Sequence, residues 1–202
     1  MLSAVSIPQH HKQPSRIAIR GERRSDVAAR EKLLDAAMGP GRFAKSSERL
    51  REGRMPARGL AFTAVEGKRL IGTVRLWPVT AGAAKGCLLL GPLAVASDVR
   101  SRGLGADLMW RALRDAKRLG YRAVLLVGDP AYYQRFGFSA DHTGALRMPG
   151  AYERERLLAC EFAAGTLKGA RGMITVNRRP ASRLAGIIDR VIRGGVPATQ
   201  TA

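Results

Sequence analysis

Polar and apolar residues alternate through SRIAIR (15–20), the period of two that predicts a β-strand. Over SDVAAREKLLDAAM (25–38) the period lengthens to that of a helix, with Val27, Leu34 and Met38 on one stripe and Ser25 placed as N-cap. GPG (39–41) ends it. FAKSSERLREG (43–53) predicts a short, heavily charged helix closing at Gly53. RGLAFTAVEGKRLIGTVRLWPV (58–79) predicts two strands turned back at EGK, an antiparallel hairpin. GCLLLGPLAVAS (86–97) is apolar at nearly every position and predicts a strand covered on both faces. A glycine-bearing loop then opens a helix to about Leu119, followed by a short apolar strand, RAVLLVGD (122–129). PAYYQRFGF (130–138) predicts a short helix that leaves through Gly-Phe. LLACEFA (157–163) and GMITV (172–176) predict the last strands.

Elements in this order predict a mixed α/β (α+β) sheet and exclude a doubly wound parallel one. The exception is the strand–loop–helix–strand section over 86–128, whose connection is long enough for a parallel crossover. One domain over 15–170 is expected, after a flexible leader (1–14) and before a basic tail (171–202). In the tail, Leu184, Ile187, Ile188, Val191 and Ile192 make an apolar helix face beside Arg183, Arg190 and Arg193. Such a helix folds back on its own domain, the reading we favour, or lies on a membrane or partner.

Composition narrows the classes. The chain is 46% hydrophobic and 25% charged, values of a globular protein and not of a disordered one. Its longest apolar run, CLLLGPLAVA (87–96), is too short to span a bilayer. The leader MLSAVSIPQHHKQPSR has no sustained apolar core, so no secretory signal and a cytoplasmic location are expected. Cys87 and Cys160 sit in apolar strands, as small core residues of a reducing compartment, with a bridge between them left open. His10 and His11 lie in the leader and make no metal site. A net charge of +19 invites a nucleic-acid partner. Yet the cations are mostly arginine in an alanine-rich chain, as GC-rich coding produces, and only 5% of residues are aromatic. No specific nucleic-acid partner is expected, only weak, non-specific binding.

The candidate chemistry sits in VRSRGLGADL (99–108). A helix N-terminus presents unpaired amides and the positive end of the helix dipole, so it favours anions. Gly103 and Gly105 leave those amides bare, and Arg100 and Arg102 add forked donors, which makes the stretch a phosphate cradle or else a plain strand-to-helix turn. A P-loop is excluded, because no Lys-Ser or Lys-Thr follows the glycines. A dinucleotide fingerprint fails too, with Leu108 where a third small residue belongs.

The spacing Arg100-x-x-Gly103-x-Gly105 resembles the pyrophosphate loop of the GNAT superfamily of N-acetyltransferases. GPLAV (91–95) resembles that superfamily's bulged fourth strand, and AYYQRFGF (131–138) its tyrosine-bearing helix. SERLREG, GTVRLWPV, LLLGPLAV and LVGDPAYYQRFGF are similar to one bacterial subgroup of predicted N-acetyltransferases. The resemblance implies a mostly antiparallel sheet with a splayed parallel central pair, flanked by helices. It also implies acetyl-CoA as co-substrate, no metal, and a primary amine acceptor on a small molecule or protein, in a monomer or homodimer. Leu93, Ala94 and Val95 would align the pantetheine arm, and Arg100, Ser101, Arg102, Gly103, Leu104, Gly105 and Ala106 would hold the diphosphate. A backbone N–H near the strand would polarise the thioester carbonyl.

Tyr133 matches the superfamily's general-acid tyrosine at the cofactor's sulfur, against core packing as the alternative. The base is less determined. The fourth strand has no carboxylate or histidine, which departs from the pattern of many relatives. Asp129 is the first candidate, Glu66 and His142 are weaker ones, and water is an equal alternative. Arg49, Arg51, Arg75 and Trp77 fall where relatives line the acceptor cleft, with a solvated face (arginines) and a packed hairpin (Trp77) as the simpler readings. Transfer of another acyl chain is the enzymatic alternative. A CoA-sensing or nucleic-acid-binding module on the same fold is the non-catalytic one.

Overall fold

The computed structural model describes residues 16–177, so the predicted leader and the apolar helix face at 184–192 lie outside the described residues. An antiparallel run of β1 (Ile17–Gly21), β2 (Ala61–Glu66), β3 (Arg69–Ala81) and β4 (Ala84–Val95) forms most of the sheet. The connection from β4 passes through α2 (Leu104–Arg118), after the earlier α1 (Val27–Met38), to β5 (Ala123–Val127), which lies parallel to β4. α3 (Pro130–Tyr133) and the two-residue β6 (Leu146–Arg147) precede β7 (Leu157–Glu161), which closes on β5 antiparallel. The fold is the mixed, mostly antiparallel sheet that the element order predicts, with β4 and β5 as its central parallel pair and the short β6 parallel to β8 at the edge.

β8 (Gly172–Val176) falls in the segment assigned to the tail, yet it belongs to the sheet. β2 covers the edge of β3 only as far as Arg75, and β8 takes Val79–Ala81 on that edge. β6, too short to leave a periodic signal, pairs with β8.

Strand alternation sends neighbouring residues to opposite faces, and each face has its own core. Leu88, Leu90, Val124 and Leu126 pack with α1 and α2, while Cys87, Leu89, Ala123 and Leu125 pack with Leu146, Leu157, Leu167 and Ile174. The two cysteines are free, Cys87 buried in the second core and Cys160 half-buried against the first, so the open question of a bridge is answered.

Three local expectations fail where charged side chains turn inward. On α1 the buried residues are Arg30, Leu33 and Leu34, whereas Val27 is exposed, because Arg30 finds Glu22 and Glu31. Ser25 sits inside a 3₁₀ turn (Arg24–Asp26) and does not cap; Asp26 is held by Arg20 and the Arg23 amide. The charged helix expected at 43–53 is instead two 3₁₀ turns, Pro40–Ala44 and Glu48–Leu50. A continuous helix would present its charges to water, but Arg42 and Arg51 are buried against carboxylates.

Candidate active site

Parallel pairing between β4 and β5 covers only Cys87–Leu89 against Ala123–Leu125, after which the strands separate. Two features drive β4 away. Between Val74/Leu93 and Leu76/Leu90 the register gains one residue on β4, a bulge at Gly91–Pro92. Trp77 Nε1 donates to the Gly91 carbonyl at 2.5 Å and pins it, and Gly91 has φ +130°, which side chains rarely adopt. The edge of β4 facing β5 is therefore without a partner strand beyond Leu89.

The same strand delivers α2. Leu104 and Leu108 press on Gly72 so closely that a Cβ there would lie 2.9 Å from Leu108 Cδ1. In the loop before the helix Ser101 and Gly103 are left-handed, at φ +66° and +79°. Such turns aim successive amides to one side, and no side chain caps the helix at Gly103. A Cβ on Gly103 would meet nothing within 4 Å, so the space over these amides is open.

A cavity of about 470 Å³ gathers these parts. Leu93–Val95, Arg100, Ser101 and Gly103–Ala106 line it, which brings together nearly the whole predicted cofactor set. Arg102 and Tyr133 are the exceptions: neither lines the cavity, and the Arg102 guanidinium lies 3.7 Å from Glu66, itself at the far end of β2. Tyr132 and Arg135, which the sequence reading passed over, line the cavity as well. Arg135 stacks on the Tyr132 ring at 4.8 Å, and a Cβ at Gly105 would sit 3.3 Å from Tyr132 Oη. Their i, i+3 spacing on the short helix was the available signal.

Tyr133 points into a second, narrower cavity of about 110 Å³, which meets the first along Met38 and Leu93. Its ring lies against Gly128, where a Cβ would come within 2.2 Å of Cε2. Burial pushes the phenol up to about 12, so it is held protonated. Asp129 lines neither cavity; it is exposed and caps α3 by accepting from the Ala131 amide at 3.1 Å. His142 lies on a separate groove beside Gly165–Arg171. Glu48 was missed, and it lines the Tyr133 cavity.

A third cavity, about 350 Å³, shares Arg42, Glu48, Arg51 and Pro92 with the second and adds Glu31, Arg75 and Trp77. Arg51 is buried and Arg75 nearly so, contrary to the solvated face expected of them, whereas Arg49 is exposed beside Gly150. Trp77 is packed as expected and stacks under Arg75. Among the described residues no cluster of three His, Cys, Asp or Glu is placed to hold a metal, and no helix is long and apolar enough to cross a membrane.

Residues 30–138, which contain the splayed strand, the glycine loop and the tyrosine helix, match the model of the acetyltransferase (GNAT) family. The chain belongs to that family. As a GNAT acetyltransferase it is similar to the uncharacterized N-acetyltransferase YhbS of Escherichia coli (strain K12). The two are 35% identical over 162 residues, 77% of this chain and 93% of YhbS. The crystal structure of Escherichia coli YhbS in complex with CoA superimposes with a TM-score of 0.69, covering 83% of this chain and 94% of that one at 29% identity. A GNAT family acetyltransferase from Brucella melitensis in complex with acetyl-CoA gives 0.61, covering 81% and 97% at 26% identity.

Proposed function

We propose that this GNAT acetyltransferase moves the acetyl group of acetyl-CoA onto a primary amine by direct attack, with both substrates bound together. One observation supports it above the others: a strand edge without a partner strand ends in an uncapped, glycine-lined helix N-terminus, and both open on one cavity. Acetyl-CoA has an amide-bearing arm suited to the first and a diphosphate suited to the second. CoA and acetyl-CoA in the YhbS and Brucella structures support the same reading.

The amides of about residues 101–106, with Arg100, would hold the diphosphate, and Leu93–Val95 would align the arm. When bound, acetyl-CoA supplies the activated acetyl group and a thiol leaving group. Tyr133, which lines the second cavity together with Leu93, holds a phenol proton of the kind the leaving sulfur would need. For the proton on the amine, the geometry supports Glu48 over Asp129, because Glu48, although paired to Arg51, shares the Tyr133 cavity, while Asp129 lines neither of the first two cavities. A CoA sensor without turnover would need the first cavity and not the two beyond it. The cations of the chain are read as compositional, so nucleic-acid binding should be weak and steeply salt-dependent.

Thiol release from acetyl-CoA across amine classes tests the proposal. Amine-dependent release is expected, with Glu48→Gln slower by roughly 10²-fold or more and Asp129→Asn near the parent. CoA binding with no release for any amine would leave the sensor in its place. A slow Asp129→Asn beside an unaffected Glu48→Gln would return the base to Asp129.

A further inference from the structure

The third cavity has a lopsided store of hydrogen-bonding capacity. Arg51, 7% exposed, forms the wall between it and the Tyr133 cavity. Its Nη2 donates to Glu48 at 2.8 Å and Ser47 at 3.3 Å, but its Nε is buried without any partner. Its Nη1 faces the Gly91 bulge, 3.5 Å from where a Cβ on Gly91 would stand. Arg75, laid over Trp77 at 4.8 Å, likewise has a buried Nε with no hydrogen-bond partner, although Glu22 Oε2 lies 3.2 Å away.

The carboxylates of the cavity are spent differently. Both oxygens of Glu31 are taken, by Arg30 and Arg42 at 2.6 Å each, and Glu48 accepts from Arg51. Glu52 is exposed and in no ion pair among the described residues, but the arginines of the same cavity, Arg42, Arg51, Arg54 and Arg75, outnumber its carboxylates. Both Nε atoms are covered by protein, so the donors left to the cavity are the terminal nitrogens, Arg51 Nη1 and those of Arg75, which make no hydrogen bond among the described residues. A buried guanidinium with open donors is unfavourable until an oxyanion fills them. Its planar fork suits a carboxylate or phosphate on two bonds.

We infer that the acceptor is an acidic amine, a primary amine that bears its own carboxylate or phosphate. The oxyanion is held by Arg51 with Arg75 behind it, and the amine is directed past the Gly91–Pro92 bulge toward Tyr133. This rests on the acyl-transfer reading and narrows its acceptor. Glu48, paired to Arg51, then faces the amino end while Arg51 faces the acidic end, so one ion pair reads both poles of the acceptor.

The test uses matched amines that differ only in the acid: phenylalanine against phenethylamine, and O-phosphoethanolamine against ethylamine, at saturating acetyl-CoA. At least one acidic member should exceed its twin in kcat/KM by roughly tenfold to a hundredfold. Which pair responds distinguishes carboxylate from phosphate. Arg51→Gln should shrink that ratio to within about twofold, and Arg51→Lys, which keeps the charge without the fork, should fall between. An unchanged rise in melting temperature with CoA shows that each variant is folded; if Arg51→Gln fails it, Arg51→Lys decides. Equal or better use of the amines without an acid would overturn the inference while leaving acetyl transfer intact. If no amine is acetylated, titration of the same compounds into CoA-loaded protein decides. Binding of an acidic member that is weakened in Arg51→Lys upholds the inference without the enzyme, and binding without preference for the acid, or unchanged in Arg51→Lys, ends it.

Discussion

Tyr133→Phe removes one oxygen from a ring that is otherwise fixed. The ring packs edge-on against Tyr132 at 5.0 Å and Phe138 at 6.0 Å, over Gly128, and these contacts survive the change. The hydroxyl is buried enough to push its pKa to about 12, with burial the main cause and the neighbouring Tyr132 the next. A polar group held there gains little from water, so its loss should alter stability by no more than about 1 kcal/mol in either direction. The effect on turnover should be far larger. If Oη gives its proton to the departing thiolate, the hydroxyl matters only as charge builds on sulfur. Positioned proton transfer contributes about 10²–10⁴-fold, or roughly 3–5 kcal/mol of barrier. Steady-state thiol release should show kcat reduced by that factor, with the KM for acetyl-CoA nearly unchanged and the melting temperature within a few degrees of the parent. Tyr132→Phe is the internal control. Its Oη lies at Gly105 in the first cavity, proposed to hold acetyl-CoA, so it should move KM more than kcat. Because the phenol is held protonated, the parent should show no falling limb from Tyr133 below about pH 11. A Tyr133→Phe enzyme within about twofold of the parent in kcat would refute the role and leave Tyr133 a core residue.

Gly128→Ala approaches the same ring from below. Its Cβ would lie 2.2 Å from Tyr133 Cε2, so kcat should fall while CoA still stabilises the protein, and full activity would show that the ring has room to shift. Gly103→Asp puts a negative charge over the open amides at φ +79°; the fold should persist at a cost of about 1–3 kcal/mol, and the CoA-dependent rise in melting temperature should vanish. Retention of that rise would place the diphosphate elsewhere. Asp26 is held down to about pKa 2 chiefly by its forked bond to Arg20, with the Arg23 amide adding to it. A carboxylate lowered on folding stabilises above its unfolded pKa near 4, and that contribution, about 2 kcal/mol, should drain away as pH falls from about 4 to 2. In urea unfolding, the gap between parent and Asp26→Ala should therefore close over this window; a gap independent of pH would assign the stability to packing.

The features legible in the sequence are those decided within a few residues. The hairpin turn, the crossover helix and the short tyrosine helix follow from local periodicity and from where glycine and proline stand. The glycine loop is legible because an uncapped helix start with Gly103 at positive φ is a backbone requirement, written in the residue type itself. Tertiary structure alone decided which charged side chains turn inward. Arg30, Arg42, Arg51 and Arg75 look like surface residues in the sequence, and the carboxylates that receive Arg30, Arg42 and Arg75 include Glu22 and Glu31, which lie up to fifty residues or so along the chain from the arginine concerned. A buried guanidinium needs a partner brought by another element, and no local pattern records which element arrives. The same holds for Glu48 and Tyr132. Each lines a cavity together with β4 residues beyond the point where β4 leaves β5, Glu48 with Leu90–Leu93 and Tyr132 with Leu93–Val95. Local sequence marks the glycine loop and the tyrosine helix; the long-range pairing of charges decides which side chains line the cleft beyond them.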